Sequence, residues 1–146
     1  VAHPTSLPIV WLLATRPKTL AAGVVPVVVG TALAGFGGAV DWLVASACLG
    51  GALLIQIGTN FANDAFDALK GADTPDRLGP RRAVASGLIS PRAMLIATAA
   101  VLACALAVGL YLARFGGWPI LVLGLVSLVC AVAYTGGPFP LAYLGL

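Results

Sequence analysis

Charge is what this sequence has least of: only 9% of its residues are Asp, Glu, Lys or Arg, against 60% hydrophobic ones. With a mean hydropathy of +1.04, that scarcity excludes an ordinary soluble globular domain. The net charge of +3 does not point to nucleic acid, because the bases sit beside the ends of apolar runs and form no stripe with aromatics. Cysteine is equally sparse. Cys48, Cys104 and Cys130 stand singly in three different apolar runs without CxxC spacing, so they read as small buried side chains and not as disulfide or metal ligands. No Ser-His-Asp set, Cys-His pair or HExxH motif offers a hydrolytic mechanism. The first apolar stretch leads into Arg16 and Lys18 and not into a small-residue cleavage site, so no signal peptide is expected.

What is present is length without charge. Leu20 to Val40, Trp42 to Asn63, Ala93 to Ala113 and Phe115 to about Thr135 each approach the roughly 20 apolar residues that cross a bilayer as a helix. They are too uniformly apolar for barrel strands with alternating faces. The expected fold is therefore all-α, a polytopic transmembrane helical bundle with spans at about 18–38, 42–66, 91–114 and 118–136. An interfacial helix at about 7–14 precedes them, with Trp11, and a polar loop covers about 68–90. Pro17 suits a helix start, Pro26 should kink the first span or free a carbonyl within it, and Asp41 and Ser90 read as N-caps. Gly116-Gly117 marks a turn.

Against this background one stretch, Asn60 to Gly87, holds four of the five acidic residues and four of the eight Lys and Arg. Gln56, Asn60, Asn63, Asp64 and Asp67 repeat with helical spacing, which places them within about 100° of one another on one face. A charge inside a bilayer costs roughly 2.5 to 3.5 kcal/mol on insertion scales, so this stripe should face a wet, cation-holding cavity and not lipid. Asp64 and Asp67 are suitable oxygen ligands for Mg²⁺, which characteristically bridges one or two carboxylates to phosphate. Asp73 and Asp76 can join them from the loop, and Lys70, Arg77, Arg81 and Arg82 can bind phosphate oxygens. Placing seven of the eight bases inside puts the Asp/Arg loop in the cytoplasm, leaving Arg114 outside. The chemistry this combination suggests is ionisation of an allylic diphosphate whose lipid tail lies among the helices.

These residues resemble a known family. Asn63-Asp64-Ala65-Phe66-Asp67 is similar to the first aspartate-rich motif of the intramembrane aromatic prenyltransferases. The longer run through Lys70-Gly71, Asp73, Pro75-Asp76-Arg77, Gly79-Pro80, Arg82 and Ser86-Gly87 is more specifically similar to the branch that prenylates 1,4-dihydroxy-2-naphthoate in menaquinone synthesis. Tyr134-Thr135-Gly136-Gly137-Pro138 and Tyr143-Leu144-Gly145 resemble the same branch. The resemblance implies Mg²⁺ as cofactor, with polyprenyl diphosphate and dihydroxynaphthoate as substrates at the lipid bilayer. The reaction would give demethylmenaquinone with loss of CO2 and diphosphate. Asn63, Asp64 and Asp67 then fall on the metal-diphosphate motif, Asn60 lies one turn earlier, and Arg16, Lys18 and Tyr134 are further substrate-binding candidates. The third Asp usual in the superfamily is replaced by Gly71, with Asp73 as its stand-in. About nine spans and a second Asp-rich motif are expected of the family, which makes this chain an N-terminal half that needs its C-terminal half and lacks activity alone. Prenylation of another acceptor such as 4-hydroxybenzoate, a cation- or phosphate-binding transporter half, and a noncatalytic assembly subunit are the alternatives.

Overall fold

The computed structural model describes residues 6–72 and 82–144, and among these all regular structure is helical. Four α-helices follow in order: α1 (Leu7–Ala14), α2 (Ala21–Phe36), α3 (Trp42–Leu69) and α4 (Pro91–Ala133). Short 3₁₀ turns occupy Pro17–Thr19 and Leu141–Tyr143. This is the all-α membrane bundle expected. α3 and α4 are each long and apolar enough to cross a membrane, and α1 with α2 forms a third candidate bent by 53°.

Local chemistry sets the boundaries. Asp41 caps α3 as read, its carboxylate accepting from the Leu43 and Val44 amides at 2.9 and 3.1 Å. Ser90 caps α4 in the same way, accepting from Ala93 N–H at 3.2 Å, with Pro91 in the first turn. The bend before α2 falls at the left-handed Arg16, φ 52°, and the following 3₁₀ turn, whereas α2 is continuous through Pro26. At 43 residues, α4 would rise about 65 Å if straight, twice the hydrocarbon thickness. Gly117, with φ 68° and ψ −162°, interrupts it, a conformation that an L side chain rarely adopts. The Gly116-Gly117 turn thus divides α4 into limbs at 91–116 and 118–133.

Packing shows that the limbs are antiparallel. Gly51 of α3 faces Val108, and Gly58 faces Leu102, so the first limb runs against α3. Gly136 meets Phe66, so the second limb brings the chain back to the end of α3 that carries the Asp residues. α2 approaches α3 closely where Gly23 lies against the backbone of Ala52. Small residues are what permit backbones to approach when lipid offers no hydrophobic drive between helices. The exterior is apolar, with Phe36, Trp42, Leu43 and Trp118 among the most exposed side chains.

The buried core is small and gathers at the Asp end. Val10 and Ala14 of α1 join Phe61, Ala65, Ala83, Val84, Ile89 and Met94, and Trp11 meets Phe61 edge-to-face at 5.6 Å. α1 therefore packs on α3 through one side, while Leu7, Leu12 and Leu13 remain exposed on the other. After residue 82 the chain makes a single helical turn closed by left-handed Gly87, whose amide bonds Val84 O at 2.9 Å.

The Gly58–Leu102 contact can be tested by thermal unfolding of the full-length protein in detergent. A Cβ at Gly58 would run into the Leu102 side chain, whereas one at Gly50 meets nothing within 4 Å. Gly58→Ala should destabilise by about 1 to 3 kcal/mol through overpacking. Gly50→Ala should be neutral or stabilising by up to about 1 kcal/mol. Leu102→Ala combined with Gly58→Ala should recover part of the loss.

Candidate functional site

The polar stripe of α3 lies at the centre of this core. Every residue from Asn60 to Ala65 is buried, as is Asp67, so among the described residues this part of the stripe is covered by protein. The reason is hydrogen-bond demand: buried polar groups and charges are stable only with partners, and other segments of the chain bring them.

Asp64, 2% exposed, has both carboxylate oxygens committed to the turn after residue 82. Its Oδ2 accepts from Ala83 N–H and its Oδ1 from Val84 N–H, each at 3.1 Å. These are the first amides of a helical turn, where an anion is favoured. The arrangement also fixes Arg82, whose guanidinium pairs with Asp67 Oδ2 and donates to Asn63 O at 2.6 Å. The other oxygen of Asp67 accepts from the Tyr143 hydroxyl at 2.6 Å. Asn63 Oδ1 accepts from Thr135 Oγ1 at 2.8 Å.

The remaining sequence candidates separate into distinct groups. Asn60 Nδ2 donates to Thr15 O at 2.8 Å and to Thr19 Oγ1 at 2.9 Å, fastening the bend around Arg16 onto α3. Arg16 is half-buried in that bend and Lys18 is exposed beside it. Lys70 turns to the segment after α4, donating to Thr135 O at 2.7 Å and lying 5.3 Å from the Tyr143 ring. Gln56 is half-buried two turns above Asp64. Tyr134 caps the end of α4 and its carbonyl accepts from Ala142 N–H at 2.8 Å, with the side chain 44% exposed. Asp73, Asp76, Arg77 and Arg81 lie outside the described residues.

Sequence reasoning thus selected Tyr134 near the end of α4, whereas the residues that reach the Asp face are its neighbours Thr135 and Tyr143. Both stand in the motifs that carry the family resemblance, and that was the available signal.

The donor set is chemically suited to a hard divalent cation. Asp64 and Asp67 present four carboxylate oxygens, each held from one side yet retaining acceptor capacity. Among the described residues no cluster of three or more His, Cys, Asp or Glu is present. A cation here would rest on the two carboxylates together with oxygens from elsewhere, the pattern by which Mg²⁺ bridges protein to phosphate.

Comparison with known proteins gives the family. The model of the UbiA prenyltransferase family matches residues 23–146. The chain is 44% identical to 1,4-dihydroxy-2-naphthoate octaprenyltransferase of Escherichia coli (strain K12) over 145 residues, covering 93% of this chain and 46% of that protein. Proteins of the same name from Bacillus subtilis (strain 168) and Mycobacterium tuberculosis (strain ATCC 25618 / H37Rv) are 39% and 38% identical over 92% of this chain, and it covers 43% and 46% of them. No solved structure matches. The chain spans about half the length of the curated relatives it matches. With a match running from within α2 across the Asp64–Asp67 face and both limbs of α4, the chain belongs to the UbiA prenyltransferase family.

Proposed function

We propose that the protein to which this chain belongs transfers a polyprenyl group from its diphosphate to 1,4-dihydroxy-2-naphthoate, with loss of CO2 and diphosphate, giving demethylmenaquinone. The observation that carries the reading is the single buried face of α3 that holds Asn63, Asp64 and Asp67 with Arg82 against it. The names of the relatives support the acceptor.

In this reading Asp64 and Asp67 hold Mg²⁺, which would neutralise charge on the diphosphate as the allylic C–O bond breaks. Arg82 can exchange its bond to Asp67 for a phosphate oxygen, since a guanidinium fork matches either anion. Arg77 and Arg81 add positive charge from the loop. The apolar helix walls hold the prenyl tail and exclude water from the electron-poor carbon until the ring carbon of the acceptor captures it. Asn60 and Lys70 fasten neighbouring segments onto the face and stand beside the substrate in this reading. Arg16, Lys18, Lys70, Arg82 and Arg92 lie on the Asp end, opposite Arg114, and that excess of bases supports a cytoplasmic Asp end in a multi-pass cell-membrane protein. Because the chain spans about half the length of the curated relatives it matches, the activity is proposed for the full-length protein and not for residues 1–146 alone.

The direct test is prenylation by the full-length protein in the presence of Mg²⁺, comparing dihydroxynaphthoate with 4-hydroxybenzoate. Product from dihydroxynaphthoate is expected, abolished by chelation of the metal. Product from 4-hydroxybenzoate instead would reassign the acceptor, and none from either with folding intact would overturn the enzyme reading. Asp67→Asn should lower kcat by on the order of 10² or more in protein that remains folded. Asp64→Asn should add a loss of stability of about 1 to 3 kcal/mol, because its amide group presents a donor to one of two backbone N–H groups. Thermal unfolding of the two variants separates these effects.

A further inference from the structure

The segment after α4 does more than close the chain's return. It places two hydroxyls on the Asp face: Tyr143 donates to Asp67 Oδ1 at 2.6 Å, and Thr135, only 3% exposed, donates to Asn63 Oδ1 at 2.8 Å. We propose that Tyr143 and Thr135 are positioning residues for the metal face, orienting Asp67 and Asn63 for a divalent cation. This rests on the reading of Asp64 and Asp67 as metal ligands.

Three observations support the assignment. First, Asp67 is gripped at both oxygens, by Tyr143 on one and Arg82 on the other, so its carboxylate plane is set while each oxygen keeps acceptor capacity. A ligand held in this way has already lost the freedom that metal binding would otherwise remove. Second, Thr135 Oγ1 donates to Asn63 Oδ1 at 2.8 Å, which holds the side-chain amide in place while Oδ1 keeps a second lone pair for a cation.

Third, the segment that carries both hydroxyls is itself anchored. Lys70, three residues beyond Asp67 on α3, bonds Thr135 O at 2.7 Å and Gly137 O at 3.5 Å, and its ammonium lies 5.3 Å from the centre of the Tyr143 ring. Ala142 N–H closes the segment onto Tyr134 O at 2.8 Å, and Gly137 takes the left-handed φ of 77° that the turn requires. The hydroxyls are thus presented by a folded loop tied to the same helix that carries their acceptors.

The test uses the full-length protein, with Mn²⁺ as the metal probe and inorganic diphosphate as the anion. Bound metal is read from loss of the free-Mn²⁺ electron paramagnetic resonance signal. Tyr143→Phe keeps the ring over Lys70 and removes only the hydroxyl. It should raise the Kd for Mn²⁺ about 10-fold, at the lower end of the roughly 10- to 100-fold cost of losing an outer partner of a metal ligand. The melting temperature without metal should stay close to that of the wild type. Thr135→Val should weaken Mn²⁺ binding, and Thr135→Ser should restore it by returning the hydroxyl. Tyr111→Phe, on the first limb of α4 against Phe115, is the control and should leave binding unchanged.

Wild-type Kd in both Tyr143→Phe and Thr135→Val, whatever their melting temperatures, would overturn the assignment. If Tyr143→Phe fails to fold, the Thr135 pair decides alone: loss in Val with retention in Ser supports positioning, and equal affinity overturns it. Should Asp64→Asn and Asp67→Asn also bind Mn²⁺ like the wild type, the metal face itself fails and the positioning role with it.

Discussion

The arrangement depends on how one buried carboxylate is satisfied. Asp64 lies deep among apolar helices, where an unpaired charge costs roughly 2.5 to 3.5 kcal/mol on insertion scales. Two hydrogen bonds from Ala83 and Val84 N–H, each charge-assisted and contributing roughly 1.5 to 3 kcal/mol, are enough to offset that cost. No side chain at 83 or 84 matters for this bond, because the main chain does the donating. The consequence is positional: residues 83 and 84 must lie against the C-terminal part of α3, and Arg82, one residue earlier, arrives beside Asp67 and the carbonyl of Asn63. A single acceptor thereby places the guanidinium that balances its neighbour.

The same demand accounts for the second limb of α4. Asp67 and Asn63 have partners 76 and 72 residues further along the chain. Those partners reach the Asp end because Gly117 reverses the helix direction there. A helix continuing straight through 117 would carry Thr135 and Tyr143 away from α3. The turn is thus as much part of the site as the residues that touch it, although it stands at the opposite end of the bundle.

Much of this was legible in the sequence. Hydropathy gave the helical limbs, side-chain chemistry gave the caps at Asp41 and Ser90, and a period of 3.6 placed Asn60, Asn63, Asp64 and Asp67 together. The partners were not legible, since two are backbone amides of Ala83 and Val84, and the others are a Thr and a Tyr with no local mark of charge. The reading of α1 as an interfacial helix drew on its length and its Trp, but these do not report that Trp11 meets Phe61, fifty residues on. The bend between α1 and α2 lies upstream of Pro26 for a similar reason. Asn60 holds Thr15 and Thr19, which fixes the bend around the left-handed Arg16, whereas Pro26, in the second turn of α2, withholds an amide from the Ala22 carbonyl.

Charge balance explains why this face is poised for a cation. The described cluster sets two carboxylates against the guanidinium of Arg82, while Lys70 spends its donors on the carbonyls of Thr135 and Gly137. A diphosphate entering beside it brings further negative charge, which would repel both carboxylates at short range in a low-dielectric setting. Arg82 cannot serve the phosphate and Asp67 fully at once. On the proposed reading, a divalent cation held by Asp67 and Asp64 would relieve that conflict and leave the guanidinium fork for phosphate oxygens. On the same reading, the arginine that now pairs with Asp67 would pair with the anion instead, and the Arg82–Asp67 ion pair would be the contact exchanged when metal and substrate bind.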